Sequence, residues 1–185
     1  MLLIQSLLLL KKVRNSITLL TLNKMIKKIF LCFLMVLLLT SCSNGKDIDA
    51  GAMERYNSMI EQLSTRTDFK TKSEYFDISL DVGSIDGAYR FYVTIDNPKA
   101  AMYNVEAIAI ESDIDYSNEM AANIGLFEDT KYSMIPNQTN ASKGFVKGIN
   151  ISGVTVNENP VLYVLVTWTN KDASVTKREF FKLGE

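Results

Sequence analysis

A period-two alternation of side chains that begins near Glu74 constrains this chain more than any other feature. Phe76, Ile78, Leu80 and Val82 alternate with Asp77, Ser79 and Asp81. Tyr89, Phe91, Val93 and Ile95 then alternate with Arg90, Tyr92, Thr94 and Asp96. Successive side chains of a strand point to opposite faces, so each run commits its segment to one wet and one dry face. Gly83-Ser84-Ile85-Asp86-Gly87 between the runs has turn chemistry, and Asn97-Pro98-Lys99 turns the chain again. A third strand is predicted over 103–110, with Ile108 and Ile110 on one face and Val105, Ala107 and Ala109 on the other. Phe145, Ile149 and Ile151 mark another, bounded by Gly144 and Gly153. Residues 161–169 are β-branched and apolar on both faces, which predicts a central strand covered on both sides. Residues 175–183 close the chain, and 124–127 and 132–135 are short candidates in the weakly patterned stretch 111–140.

Short strands separated by frequent turn residues predict an all-β fold, an antiparallel β-sandwich of about seven strands over residues 74–185. The architecture resembles an immunoglobulin-like or fibronectin type III-like module, with Trp168 in the most apolar strand as its core tryptophan. The Cys…Trp…Cys spacing of antibody domains is absent. Ahead of the strands, Met53, Tyr56, Met59, Ile60 and Leu63 have helical spacing and predict a short amphipathic helix over 52–66. Its expected role is to pack on the domain rather than to bind a partner. The competing architecture is an α+β domain in which this helix crosses a single antiparallel sheet.

The N-terminal part has a different composition. Lys11, Lys12, Arg14, Lys24, Lys27 and Lys28 precede Cys42, and no acidic residue does. Of 20 basic residues these are 6, which leaves 14 against 21 acids, so the part from Cys42 onward carries 14 − 21 = −7. An acidic body without a basic stripe argues against nucleic-acid binding. Met25-Ile26-Lys27-Lys28 followed by uncharged apolar residues 29–39 is the basic-then-apolar pattern of a secretory signal. The apolar run, at 1.5 Å per residue, is too short for the roughly 30 Å hydrocarbon core of a bilayer. Leu39-Thr40-Ser41-Cys42 then resembles the lipobox of bacterial lipoproteins. The resemblance implies a signal peptide over 25–41, cleavage between Ser41 and Cys42, and diacylglycerol on the Cys42 thiol. It also implies a membrane partner and a place in the cell envelope. That place is the outer membrane in a Gram-negative cell, or the outer leaflet of the cell membrane in a Gram-positive one. Polar residues 42–51 read as a tether. Residues 1–24 read as a start-site misassignment ahead of Met25, or else as an unusually long n-region.

Chemistry is harder to find. The chain has no histidine, which excludes Ser-His-Asp and Cys-His catalysis and histidine-containing zinc sites. Its two cysteines, Cys32 in the apolar run and Cys42, do not make a disulfide scaffold. There is no P-loop, no dinucleotide fingerprint and no nucleophile elbow. Asp113, Asp115 and Ser117 have the opening spacing of a calcium loop, but Asn118 and Ile124 stand where glycine and glutamate are needed, so no metal and no cofactor is predicted. Asp113 and Asp115 remain candidate ligand contacts, as do Tyr92 and Tyr116, placed outside the core and able to stack on a sugar ring or peptide. The function expected is a non-catalytic binding or adaptor module for an envelope protein, peptide or glycan. The alternative is a carboxylate-dependent hydrolase of envelope glycans.

Overall fold

The computed structural model describes residues 49–112, 116 and 119–184. The segments assigned above to the signal, the lipobox and most of the tether lie outside the described residues. One helix, α1 (Ala50–Thr65), comes first. Eight strands follow: β1 (Asp77–Ile85), β2 (Ala88–Asp96), β3 (Met102–Glu111), β4 (Ala122–Ile124), β5 (Tyr132–Met134), β6 (Gly148–Thr155), β7 (Leu162–Thr169) and β8 (Thr176–Leu183). They form two antiparallel sheets, one in the order β1-β2-β6 and one in the order β4-β3-β7-β8, with β5 also paired to β3.

The alternation seen in the sequence decides which side chains meet. Phe91, Val93 and Ile95 of β2 and Ile149 and Ile151 of β6 face Val105, Ala107 and Ala109 of β3 and Leu162, Val164, Val166 and Trp168 of β7. These side chains fill the space between the sheets. Trp168 is 3% exposed there, with its ring 5.7 Å from Phe76 in an edge-on contact. The other faces of β3, β7 and β8 carry Ile108, Ile110, Leu165 and Phe180, and α1 covers them with Tyr56, Met59 and Leu63. The strand over 162–169 is therefore dry on both sides, which is why it reads as continuously apolar.

Helix α1 begins at Asp49, whose side chain accepts from the Gly51 N–H at 3.1 Å. The helix crosses the larger sheet. On the β4 side the Tyr56 hydroxyl accepts from the Ala121 N–H at 2.7 Å. On the β8 side the Arg66 guanidinium, one residue past the helix, lies 4.1 Å from the centre of the Phe180 ring.

Several boundaries differ from the sequence expectation, each for a local reason. The β1–β2 turn needs only Asp86 and Gly87, so Gly83 stays in the ladder opposite Arg90. Gly153 does not end its strand; β6 runs on to Thr155, and Gly153 leaves room for the Phe91 ring that crosses it. The predicted strand over 124–127 is instead Ala122–Ile124, because Gly125 (φ +82) turns away against the Val105 carbonyl. Phe145 lies outside β6 and forms isolated bridges to Ser133 and Asn140.

The free edge of β8 is covered. The Lys70 N–H donates to the Phe180 carbonyl at 2.8 Å, and the Lys182 N–H donates to the Lys70 carbonyl at 3.2 Å. Glu179, 4% exposed, accepts from the Lys70 ammonium at 2.6 Å and from the Ser73 hydroxyl. The hydrogen bond to Glu179 holds the Lys70 pKa above its ordinary 10.5.

Two outcomes follow from these contacts. A Cβ added at Gly153 would lie 2.4 Å from the Phe91 ring, so Gly153→Ala should cost about 1–3 kcal/mol. In urea unfolding, the cost of Gly153→Ala should shrink in a Phe91→Leu background; equal costs in both backgrounds would dismiss the ring contact. Because the folded Lys70 pKa is raised, its contribution is full below 10.5 and is lost as pH rises through the folded value. Lys70→Met should lower neutral-pH stability by about 1 kcal/mol, the ammonium being largely solvated, and should flatten the alkaline decline. Unfolding midpoints measured from neutral to alkaline pH test this, and an unchanged alkaline limb would refute it.

Candidate functional site

A helix laid across a sheet leaves a groove on each side, and here the two grooves differ in chemistry. The first, about 410 Å³, lies between α1 and the Asn104 end of β3. Its floor is set by strand register. Glu106 pairs with Thr167 and Thr167 with Arg178, so three strands present one polar row. Thr169 and Thr176, themselves paired, extend the floor beside Asn104. Glu54, Arg55, Ser58 and Gln62 of α1 form the wall.

Local contacts fix this floor. The register of β3 against β7 shifts between Tyr103 and Glu106, and Asn104 takes up the irregularity at φ 49. Asparagine is among the residues that tolerate this left-handed conformation. The Asn104 amide donates to the Thr169 hydroxyl at 2.9 Å, and that hydroxyl donates to the Tyr103 carbonyl at 3.3 Å. Arg55 joins wall to floor, with Nε 3.2 Å from Glu106 Oε1 and Nη2 3.4 Å from the Leu126 carbonyl. Trp168 borders the groove, but its ring is buried between the sheets and offers no stacking face. The groove thus presents hydroxyls, amides and charges of both signs, suited to a polar ligand rich in hydrogen-bonding groups.

The second groove, about 500 Å³, lies on the other side of α1 and is aromatic. Tyr56, Phe69, Tyr116 and Tyr163 line it, with Phe69 and Tyr163 ring centres 4.6 Å apart. Glu111 at its border is 3% exposed. Its Oε1 accepts from the Thr155 hydroxyl at 3.1 Å and from the Asn157 amide, which ties β3 to the end of β6.

The candidate residues from the sequence do not assemble. Ser41, Cys42, Asp113 and Asp115 lie outside the described residues. Tyr92 is 40% exposed on the outer face of β2. Tyr116, expected outside the core, is half-buried against the α1 cluster because its hydroxyl accepts from the Glu111 N–H at 2.8 Å. Burial pushes its pKa up. Tyr92 lies on the outer face of the smaller sheet and Tyr116 in the turn between β3 and β4, packed against the α1 cluster, so the two do not form one stacking platform. Among the described residues no three acidic or cysteine side chains gather to hold a metal, and no helix is long and apolar enough to cross a membrane.

Sequence reasoning missed Asn104, Glu106, Thr167 and Arg178. One signal was present. On the face that meets α1, each strand changes from apolar to polar: Ile108 to Glu106, Leu165 to Thr167 and Phe180 to Arg178. Only the register shows that the three changes fall in one row.

No family model matches the chain, and no curated protein matches it. Among solved structures, the chain is similar to the reeler domain of human F-spondin (fragment 2, a crystal structure) at 14% identity. That comparison covers 70% of this chain and 99% of the other, with a TM-score of 0.34.

Proposed function

We propose that this is a lipid-anchored cell-envelope protein whose immunoglobulin-like β-sandwich serves as a non-catalytic binding or adaptor module for a protein, peptide or glycan. Lys27-Lys28, the apolar run and Leu39-Thr40-Ser41-Cys42 support the anchor. Stable attachment takes more than one acyl chain, which diacylation of Cys42 supplies. The immunoglobulin-like reading is supported by strand order. In chain order, β1-β2-β6 and β4-β3-β7-β8 correspond to A-B-E and C′-C-F-G of such sandwiches.

The observation that carries the binding reading is the polar row Glu106–Thr167–Arg178, walled by α1. Polar side chains on rigid, packed elements are positioned to recognise a hydrogen-bonding segment with little reordering. The hydrolase alternative draws on Glu54 and Glu106, which line the same groove. Glycoside hydrolysis needs two carboxylates facing each other across the scissile bond. Glu106 is instead engaged by Arg55 from the wall, which favours a structural and binding role.

Two experiments test the reading. Labelled fatty acid should be incorporated into the wild-type protein and not into Cys42→Ala; a wild-type protein that takes up no label would refute the anchor. Crosslinking of the anchored protein in its own membranes should yield a discrete adduct that Arg178→Glu reduces about tenfold, by reversing one well-placed charge, and that Thr167→Arg also reduces, by filling the floor of the groove. An adduct insensitive to both substitutions would reject the groove. Turnover of envelope glycan by the purified protein, abolished by Glu54→Gln or Glu106→Gln, would replace binding with hydrolysis.

A further inference from the structure

The two sheets end in different ways. The edge of β8 is covered by the chain around Lys70, but the outer edge of β1 is open. β1 pairs with β2 along its whole length, from Asp77↔Asp96 to Ile85↔Ala88. Among the described residues its backbone bonds to no other element. In an antiparallel pair, alternate residues turn both N–H and C=O away from the partner, so every second residue of the nine-residue β1 presents an unmet donor and acceptor. Such edges are normally shortened, bulged or covered. β1 is long, regular and without proline.

A second feature lies beside this edge. On the inward face, Ile78 and Leu80 pack on the core from one side only, and Val82 is 37% exposed. A cleft of about 530 Å³ opens between them and the end of the other sheet, lined by Leu80, Val82, Asn159, Pro160 and Gly184. A strand added along β1 would set the inward side chains nearest Leu80 and Val82 beside this cleft. The sandwich therefore offers main-chain hydrogen bonds and a recess walled by Leu80, Val82 and Pro160 along one line, which are the two components of recognition by strand addition.

We propose that the β1 edge binds an extended peptide segment of a partner protein, with aliphatic side chains alternating inward and basic side chains outward. The outward face sets the charge. Asp77 is already engaged by Asn97 at 2.7 Å and Lys99 at 2.6 Å. Asp81, in the middle of the strand, is exposed and has no hydrogen bond or ion pair with the described residues. An added strand places a side chain directly opposite Asp81, where an opposite charge is favoured and a like charge is penalised. The same rule disfavours a second copy of this chain, because fully overlapped antiparallel pairing sets the two Asp81 carboxylates against each other. The site is distinct from the groove beside α1 and stands independently of the function proposed for it.

The test uses the full-length protein in detergent micelles and a labelled nonapeptide that alternates valine with lysine. Fluorescence anisotropy should show this peptide binding about tenfold more tightly than its glutamate counterpart, the effect of one well-placed charge pair. Asp81→Lys, a change on an exposed site, should reverse that preference. Bound peptide should slow amide exchange along β1, and N-methylation of alternate peptide amides on the pairing edge should abolish binding. The proposal is overturned if the lysine peptide does not bind, or binds without slowing β1 exchange or regardless of N-methylation. It is equally overturned if the peptide-free protein sediments as a dimer with β1 already protected, since a second copy then fills the edge.

Discussion

The pairing of β3 with β7 is the constraint on which the rest of the structure depends. Both strands carry apolar side chains on both faces, so neither face can be left to water. One face draws Phe91, Val93, Ile95, Ile149 and Ile151 of the smaller sheet onto Val105, Ala107, Val164 and Val166. The other requires a cover, and α1 supplies it with Tyr56, Met59 and Leu63. The result is three layers rather than two. The helix is thus part of the second core, since without it Ile108, Ile110, Leu165 and Phe180 would face solvent at about 1.5–3 kcal/mol for each large side chain.

The grooves follow from the same constraint. A single helix is about 10–12 Å wide with its side chains, narrower than the length of these strands. It covers the middle of the sheet and leaves both ends of the strands open. The chain fills one end with aromatics and the other with a polar row. Arg178 there is exposed and Glu106 partly so, whereas beneath the helix both would carry a desolvation cost.

Much of the fold was legible in local pattern, because burial on one face writes itself into alternation. The inward set of β2, the burial of β7 on both faces and the burial of Trp168 follow from side-chain order alone. The helix was legible from the spacing of Tyr56, Met59 and Leu63. What escaped depends on contacts remote in sequence. Gly153 reads as a strand end until the Phe91 ring is placed across it. Tyr116 reads as a free aromatic until its hydroxyl meets the Glu111 N–H. Glu106, Thr167 and Arg178 are ordinary polar residues singly, and only strand register makes them a row. The site was less legible than the fold because a core is specified by repetition along the chain, whereas a groove is specified by coincidence between strands.

Position on rigid elements also bears on what the groove can do. Arg55 and Glu106 are held together between α1 and β3, and the Asn104 irregularity is braced by Thr169 and the Tyr103 carbonyl. A ligand entering there meets side chains already fixed by packing, so little conformational entropy is lost on binding. The same rigidity argues against α1 as a lid. Swinging it away would strip the Tyr56 hydroxyl from Ala121 and expose the second core in one step. Recognition at the proposed groove would therefore proceed with the helix in place, and its selectivity would rest on which polar groups a ligand sets against the Glu106–Thr167–Arg178 row.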